Sequence, residues 1–475
     1  MKKIYLLALT SLLAFNSFAQ IDRSHKPEAG PAPTIHFETP QTFELKNGIK
    51  VMLVQDHKLP KISASFSMTR APKLYGKKKG VGDLLSSILN EGTTKLSKAD
   101  FDESIDLLGA RVSVNAGGGY ASSLTADFDQ ALALMVEAMK YPAFRQEDFE
   151  KIKMQQITAM KSDERNTSSI ARKVLSHINF GDKHPFGEFS TVEGIEKISL
   201  EDVKNEYHKR FMPNNSYLVF IGDINLDQAK KYAEKYFDSW EKGKLSETPV
   251  IKVKPATKTQ VFVVDVPTAS QAMMLVSNIV ENTRLNPESY GLSVANQILG
   301  SNDGYLFMNL REKHSYTYGA YSSVGTDKYG ATFTAEANVG HAVIDSAIIE
   351  TFKEMNRLSN EPAAADAIQL IKNKENGKFA LAMENKGNIA SYAINIERDN
   401  LPKDYYTTFL QKINEVGASE IQAVAKKYIN TNAMNIVVAG NAALIADKME
   451  GLGYHVTYLD AFGKKIDRPT LSNEE

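Results

Sequence analysis

The 475-residue sequence contains no cysteine. Disulfides, thiolate catalysis and every cysteine-based metal site are therefore excluded. Its nine histidines (25, 36, 57, 177, 184, 208, 314, 341 and 455) are scattered. None has a partner at the i, i+4 spacing that sets two imidazoles on one helical face for zinc. A G-x-S-x-G nucleophile elbow, a G-x-x-x-x-G-K-[ST] phosphate loop and a Rossmann fingerprint in the right context are all missing. An excess of one charge is missing too. With 56 Lys+Arg against 57 Asp+Glu the formal net charge is −1, which leaves no overall electrostatic footprint for a nucleic-acid partner. Beyond the N-terminus no apolar run approaches about 18 residues, so no integral membrane segment is expected in the mature chain.

What is present reads as an exported globular protein. Lys2 and Lys3 precede an apolar stretch from Ile4 to Phe15, and Ser17-Phe18-Ala19 before Gln20 is a small-residue cleavage site. Residues 1–19 are thus expected to be a signal peptide; the other reading, a short membrane anchor, has too few apolar residues to span comfortably. With no cysteine at the cleavage site, a lipid anchor is excluded, and a bacterial periplasm is the expected location. Removal of the leader leaves 54 basic and 57 acidic residues. Apolar residues at 43% and charged residues at 24% are ordinary globular values, and the length suggests two to four domains at roughly 150 residues each.

Residues 20–40, with Pro27, Gly30, Pro31, Pro33 and Pro40, form a loose lead-in. Order begins near Thr42. Phe43 and Leu45 alternate up to Asn47-Gly48, and Ile49, Val51 and Leu53 continue beyond, the pattern of a hairpin whose two turn residues take positive φ. Ile62, Ala64, Phe66 and Met68 give a third strand. The period then becomes helical: Val81, Leu84, Leu85, Ile88 and Leu89 share a face that ends at Gly92. Ser97 caps a further helix. Strands are expected at Ala110–Val114 and Ser122–Asp127, with a tight turn at Gly117-Gly118-Gly119. A helix bearing Leu132, Met135, Val136 and Met139 follows, then two long helical stretches over 146–180. The triplet Lys77-Lys78-Lys79 reads as a solvated loop.

The chain repeats itself. Ile198–Gly222 aligns without gaps to Val416–Gly440 at an offset of 218, placing Asp202 opposite Glu420, Lys209 opposite Lys427 and Asn214 opposite Asn432. Upstream of the second copy the same order recurs, with strands at Gln260–Asp265 and Ala272–Ile279 and a helix from about Pro287 to Ile298. Two copies of one α+β unit account for nearly the whole mature chain, and their period is too long for a solenoid. The expected division is 41–240 and 259–460, joined by a linker at 241–258 and ending in a tail at 461–475. Hairpins mixed with long helices favour a mixed or antiparallel sheet in each unit, covered by helices.

Residues 80–93, GVGDLLSSILNEGT, resemble the first helix of the pitrilysin/insulinase/mitochondrial-processing type of zinc peptidase, which carries His-x-x-Glu-His between a leading Gly and a trailing Gly-Thr. The preceding hairpin and Pro213-Asn214-Asn215 with Gly222-Asp223 agree with it. So does Leu306–Lys313 followed by Tyr316-Thr317-Tyr318. The resemblance covers about residues 40–455 and implies that the two repeats form one half of a clam-like peptidase chamber. On the same alignment the zinc motif is degenerate: it reads Asp83-x-x-Ser86-Ser87, lacking both His ligands and the Glu that activates water. Where the family's third ligand falls, Ile157-Thr158-Ala159 offers no carboxylate, and Asp163 is the nearest acid beyond. A catalytic zinc needs three protein ligands and an open position, so no cofactor is expected in this chain.

The resemblance leaves Arg311 and Tyr318, seven residues apart, as the family's substrate-binding pair. Guanidinium and phenol can donate to a peptide carbonyl and to the oxyanion it becomes. Taken alone, an exposed helical Arg and a strand Tyr packed in the core are the better account of them; the resemblance is what favours the functional pair. The implied function is that of a non-catalytic subunit of a periplasmic heterodimeric zinc endopeptidase, with Arg311 and Tyr318 acting in trans on the zinc site of a partner bearing His-x-x-Glu-His. Unfolded peptides would be its substrates, bound by strand addition. A pseudo-peptidase serving as a peptide-binding or scaffold protein is the other reading. Autonomous activity is not expected. The loop Gly300-Ser301-Asn302-Asp303-Gly304, before Arg311, is a candidate for flexing to admit substrate.

Overall fold

A computed structural model describes residues 38–245, 249 and 252–470. The expected signal peptide, most of the lead-in, part of the linker and the last five residues of the tail lie outside them. The first half opens with a hairpin of β1 (Gln41–Glu44) and β2 (Lys50–Gln55). Only Gly48 of its turn takes positive φ, at +81°. Gly48 N donates to Leu45 O at 2.8 Å and Leu45 N to Ile49 O at 3.0 Å, a three-residue turn with glycine in the left-handed position. Asn47 has another role: its buried amide donates to Phe237 O (2.7 Å) and Trp240 O (2.9 Å), fastening the hairpin to the end of the half.

β3 (Lys61–Met68) buries Ile62, Ala64, Phe66 and Met68, as its alternation requires. Helices α1 (Val81–Ile88) and α2 (Lys98–Leu107) follow, the second capped by Ser97 accepting from Asp100 N. β4 (Arg111–Asn115) then pairs with β5 (Gly118–Leu124). The expected glycine turn is thus only partly a turn: Gly118 and Gly119 are strand residues. At Gly118 (φ +147°) a Cβ would lie 1.9 Å from Phe66 O, so the missing side chain lets β5 reach β3. The half continues with α3 (Phe128–Lys140), α4 (Gln146–Asp163), α5 (Thr167–Phe180), α6 (Val192–Glu196), α7 (Leu200–Arg210), β6 (Ser216–Gly222) and α8 (Leu226–Phe237).

The second half runs β7 (Gln260–Asp265), β8 (Ala272–Val280), α9 (Ser289–Gly300), β9 (Ala320–Val324), β10 (Ala331–Val339), α10 (Ile344–Asn360), α11 (Ala365–Glu384), α12 (Lys386–Arg398), α13 (Phe409–Glu415), α14 (Ala418–Tyr428), β11 (Asn435–Gly440), α15 (Ala442–Gly451) and β12 (His455–Leu459). Its α14 stands 218 positions from α7 at both ends, matching the repeat in the sequence. The two six-stranded mixed sheets have orders β1-β2-β6-β3-β5-β4 and β12-β7-β11-β8-β10-β9. They differ at one margin. β1 is the antiparallel arm of a hairpin, whereas β12 comes from the C-terminal end of the chain and lies parallel to β7.

One face of each sheet packs on helices of its own half. The other face is covered by a helix of the opposite half. In the first sheet Met52, Val54, Tyr217 and Val219 pack on Ile389 and Ala390 of α12. In the second, Val264, Met273, Leu275 and Val437 pack on Ile170, Ala171, Val174 and Leu175 of α5. α5 and α12 are themselves equivalent, capped by Asn166 and Asn385, whose side chains accept from Ser169 N and Gly387 N. Buried Asn179 at the end of α5 donates to Ser277 Oγ (3.0 Å) and accepts from Asn435 Nδ2 (2.9 Å), so the crossing is pinned by hydrogen bonds as well as apolar contact.

Because Ile389 belongs to the second half but seals the first sheet, Ile389→Ala should cost about 2–4 kcal/mol. The single tryptophan, Trp240, stacks on Phe66 at 5.3 Å in the first half. Urea unfolding followed by Trp240 fluorescence should therefore show a lowered midpoint, whereas independent halves would leave that midpoint unmoved.

Candidate functional site

Gly80 precedes α1 with a φ of +108°, a left-handed conformation that favours glycine, and a Cβ there would press on Ile195 Cδ1 at 2.2 Å. The apolar residues Val81, Leu84, Leu85 and Ile88 are buried. That orientation fixes the others: Asp83 and Ser87 are exposed and Ser86 is half-buried. Asp83 and Ser87 have no hydrogen-bonding or ionic partner among the described residues. Ser86 Oγ donates to Gly82 O at 2.8 Å and accepts from Ala116 N at 3.1 Å.

One turn on, Asn90 does more. Its Nδ2 donates to Val114 O (2.6 Å) and its Oδ1 accepts from Val114 N (3.0 Å). Val114 lies on β4, the outermost strand of its sheet. Such a strand ordinarily presents unpaired N–H and C=O groups to which another chain can add. Here Asn90 occupies both groups of Val114, and Ser86 takes the next outward N–H. The helix that aligns with the family's catalytic helix is thus bonded directly to the sheet edge. Asn90 was not singled out from the sequence, since nothing local relates it to a residue 24 positions away.

Zinc does not fit these residues. Asp163, at the end of α4, is committed to Ser169 and to Lys173 Nζ (3.1 Å), and these contacts hold its carboxyl below the usual carboxylate range, the Ser169 bond foremost. Among the described residues no three His, Asp or Glu side chains converge as metal ligands. One exposed carboxylate and two hydroxyls remain on α1, and they form neither a metal cage nor an acid–base pair.

Arg311 and Tyr318 lie in a different setting. Phe307–Lys313 is wound as a π-helix, with His314 N donating to Asn309 O at 3.1 Å. The Arg311 guanidinium sits over the Phe307 ring, 4.7 Å from its centroid, with Nε 3.5 Å from Glu312. Tyr318 is 88% exposed and has no hydrogen-bond partner among the described residues. Neither residue bonds to Asp83, Ser86 or Ser87. On the inner side of the π-turn, buried Asn309 donates to Glu350 (2.8 Å) and Glu354 (2.5 Å) of α10. Burial alone would raise the Glu350 pKa, but Asn309 and Lys353 outweigh it and hold the carboxyl low. These carboxylates, more than 40 positions from Asn309, were also invisible in the sequence.

The glycine-bounded loop before this turn is pinned. A Cβ on Gly300 would come 2.1 Å from Ser322 N, and Asp303 accepts from Lys374 Nζ through both oxygens at 2.6 Å. The expected flexing finds no support in this packing.

Residues 197–375 match the family described as the peptidase M16 inactive domain. Over these residues, and in its fold, the chain resembles the pitrilysin-type M16 proteins, and the stretch aligned with their zinc motif carries none of its ligands. Among its relatives is the non-peptidase homolog YmxG of Helicobacter pylori, 23% identical over 409 residues, 83% of this chain and 92% of that one. The zinc protease PqqE of the same organism is 22% identical over 210 residues, 42% of this chain and 47% of its own. Among solved structures, the peptidase M16 inactive domain from Pseudomonas fluorescens superposes with a TM-score of 0.76 at 22% identity, covering 84% of this chain and 98% of that one. The periplasmic protease PqqL of Escherichia coli gives 0.68 at 14% identity over 91% of this chain, which spans 50% of PqqL. The M16 fold in this chain therefore has two mixed sheets with their helices, and a first helix that braces a strand edge.

If bracing is the task of that helix, removing the braces should be costly. Asn90→Ala leaves both buried-edge groups of Val114 without a partner and should destabilise by about 1–3 kcal/mol, with Ser86→Ala about 1 kcal/mol. Amide hydrogen exchange at Val114 should accelerate in Asn90→Ala. Unchanged exchange would show that the amide contributes nothing to the edge.

Proposed function

We propose that this M16 chain is the non-catalytic subunit of an exported, heterodimeric zinc endopeptidase, supplying Arg311 and Tyr318 in trans. The observation that carries the reading is a contrast within one chain. On the helix aligned with the zinc motif Ser86 is bonded into the fold and Asp83 and Ser87 form no site, while Arg311 stands exposed on a braced π-turn and Tyr318 just beyond it, with donor groups to spare. Guanidinium and phenol hydrogens aimed at a peptide carbonyl stabilise the oxyanion that develops on attack. The water that attacks would be activated by zinc in a partner bearing His-x-x-Glu-His. With β4 closed at Val114 and Ala116, an unfolded peptide would add as a strand to the partner's edge, inside a clam-like chamber of which this chain forms half. The leader at residues 1–19 is the basis for placing the complex in the periplasm. Helicobacter pylori has both a non-peptidase homolog and a zinc protease similar to this chain, the two kinds of subunit this reading requires.

Affinity capture of the mature chain from its native extract should recover a roughly equimolar subunit with His-x-x-Glu-His. In the purified complex Arg311→Ala should lower kcat by about 10²–10³ with zinc content unchanged. Full activity in Arg311→Ala would overturn the trans role. Recovery of the chain alone, or with unrelated envelope proteins, would favour a peptide-binding or scaffold protein.

A further inference from the structure

A cavity of about 760 Å³ opens where the two halves meet. Its first-half wall comprises Lys50 of β2, the segment 69–73 that leaves β3, the C-terminal turn of α7 and the start of β6. The second half adds Lys328 and Tyr329 from the β9–β10 loop and the last turn of α12. This wall is strongly cationic in a chain with no excess of positive charge. The linker adds Leu245 and Pro249, and among the described residues seven Lys and Arg side chains line the cavity against two carboxylates, Glu206 and Glu397.

The pairing of these charges shows which are available. Glu206 takes Lys73 (2.9 Å), Arg210 (3.5 Å) and the Tyr75 hydroxyl (2.6 Å). Glu397 takes Lys50, and Asp399 takes Arg398 at 2.9 Å. Three cations are left without a carboxylate among the described residues: Arg70, Lys209 and Lys328. Arg70 is the fixed one. Its guanidinium spends its donors on the carbonyl oxygens of Thr69, Arg210, Met212 and Asn214. Carbonyls orient the group without neutralising it. Burial, then Arg210, lowers its pKa to about 10, which still leaves it charged at neutral pH. Lys209 and Lys328 are exposed, in no ion pair, and contributed by opposite halves. A cleft lined by one sign of charge concentrates counter-ions of the other.

Size and topology narrow the occupant. The volume lies in the range of small-molecule sites. The strands on the wall, β2 and β6, are each paired on both sides, so no free edge is offered for a peptide to extend. We propose that the cavity binds a small multivalent anion, a phosphate ester or polycarboxylate, held by Lys209 and Lys328 from the two halves with the charge of Arg70 in the wall between. The site is separate from Arg311 and Tyr318 and does not depend on a peptidase partner.

Isothermal titration of the mature chain (residues 20–475) in 50 mM salt tests this with tripolyphosphate, citrate and hexaglutamate as probes. Saturable one-to-one binding of tripolyphosphate or citrate is expected, weakening steeply as salt is raised. Lys209→Glu and Lys328→Glu, neither of which breaks an ion pair, should each raise Kd by about tenfold or more. Binding of tripolyphosphate alone would identify phosphate chemistry, of citrate alone carboxylate chemistry. No saturable binding, binding indifferent to both reversals, or binding of hexaglutamate only would overturn the proposal. Unshifted melting of both variants without ligand verifies that they are folded.

Discussion

Everything in this molecule depends on an exchange of helices. α5 of the first half lies on the second sheet, and α12 of the second half lies on the first. A mixed sheet with two apolar faces cannot be stable with one of them wet, because each large side chain left exposed forgoes about 1.5–3 kcal/mol. Val219, Met52 and Val54 on one sheet and Leu275, Met273 and Val437 on the other are buried only because the exchange occurs. Neither half therefore has a complete core of its own. The same exchange brings the end of α12 against β2 and β6 and so creates the cationic cavity between the halves.

Within that frame the first half shows what becomes of a helix aligned with a catalytic one when it carries no catalytic residues. Its apolar face still anchors the helix under the sheet. Ser86 and Asn90 now close a strand edge. An edge whose groups are taken by side chains of the same chain cannot pair with a peptide at those positions. The second half presents an exposed Arg311 on a turn braced from beneath by Asn309 and two carboxylates, with exposed Tyr318 just beyond it.

Much of this was legible in the sequence where the determinants are local. The alternation in β3, the Ser97 cap and the 218-residue repeat each act over a few residues or copy a whole unit, and the structure follows them. Errors arose where a local signal had a distant partner. Asn47 reads as a turn residue of positive φ, yet its amide is claimed by Phe237 and Trp240, and only Gly48 takes the left-handed conformation. Gly118 and Gly119 read as turn but belong to a strand, and at Gly118 a close approach to β3 leaves room only for glycine. The loop at Gly300–Gly304 reads as able to flex, and its Asp303 pairs with Lys374 of α11, 71 positions on.

The sequence by itself determined most of the secondary elements, the twofold repetition and the departure from the zinc motif at residues 83, 86 and 87, since each follows from residue type at a given spacing. Only the tertiary structure decided that the two halves cover each other, that Asn90 reaches Val114 and that Lys209 and Lys328 face one cavity. Those relations join residues between 24 and more than 200 positions apart. No periodicity along the chain records them, because they are set by how apolar faces must pair in space to exclude water.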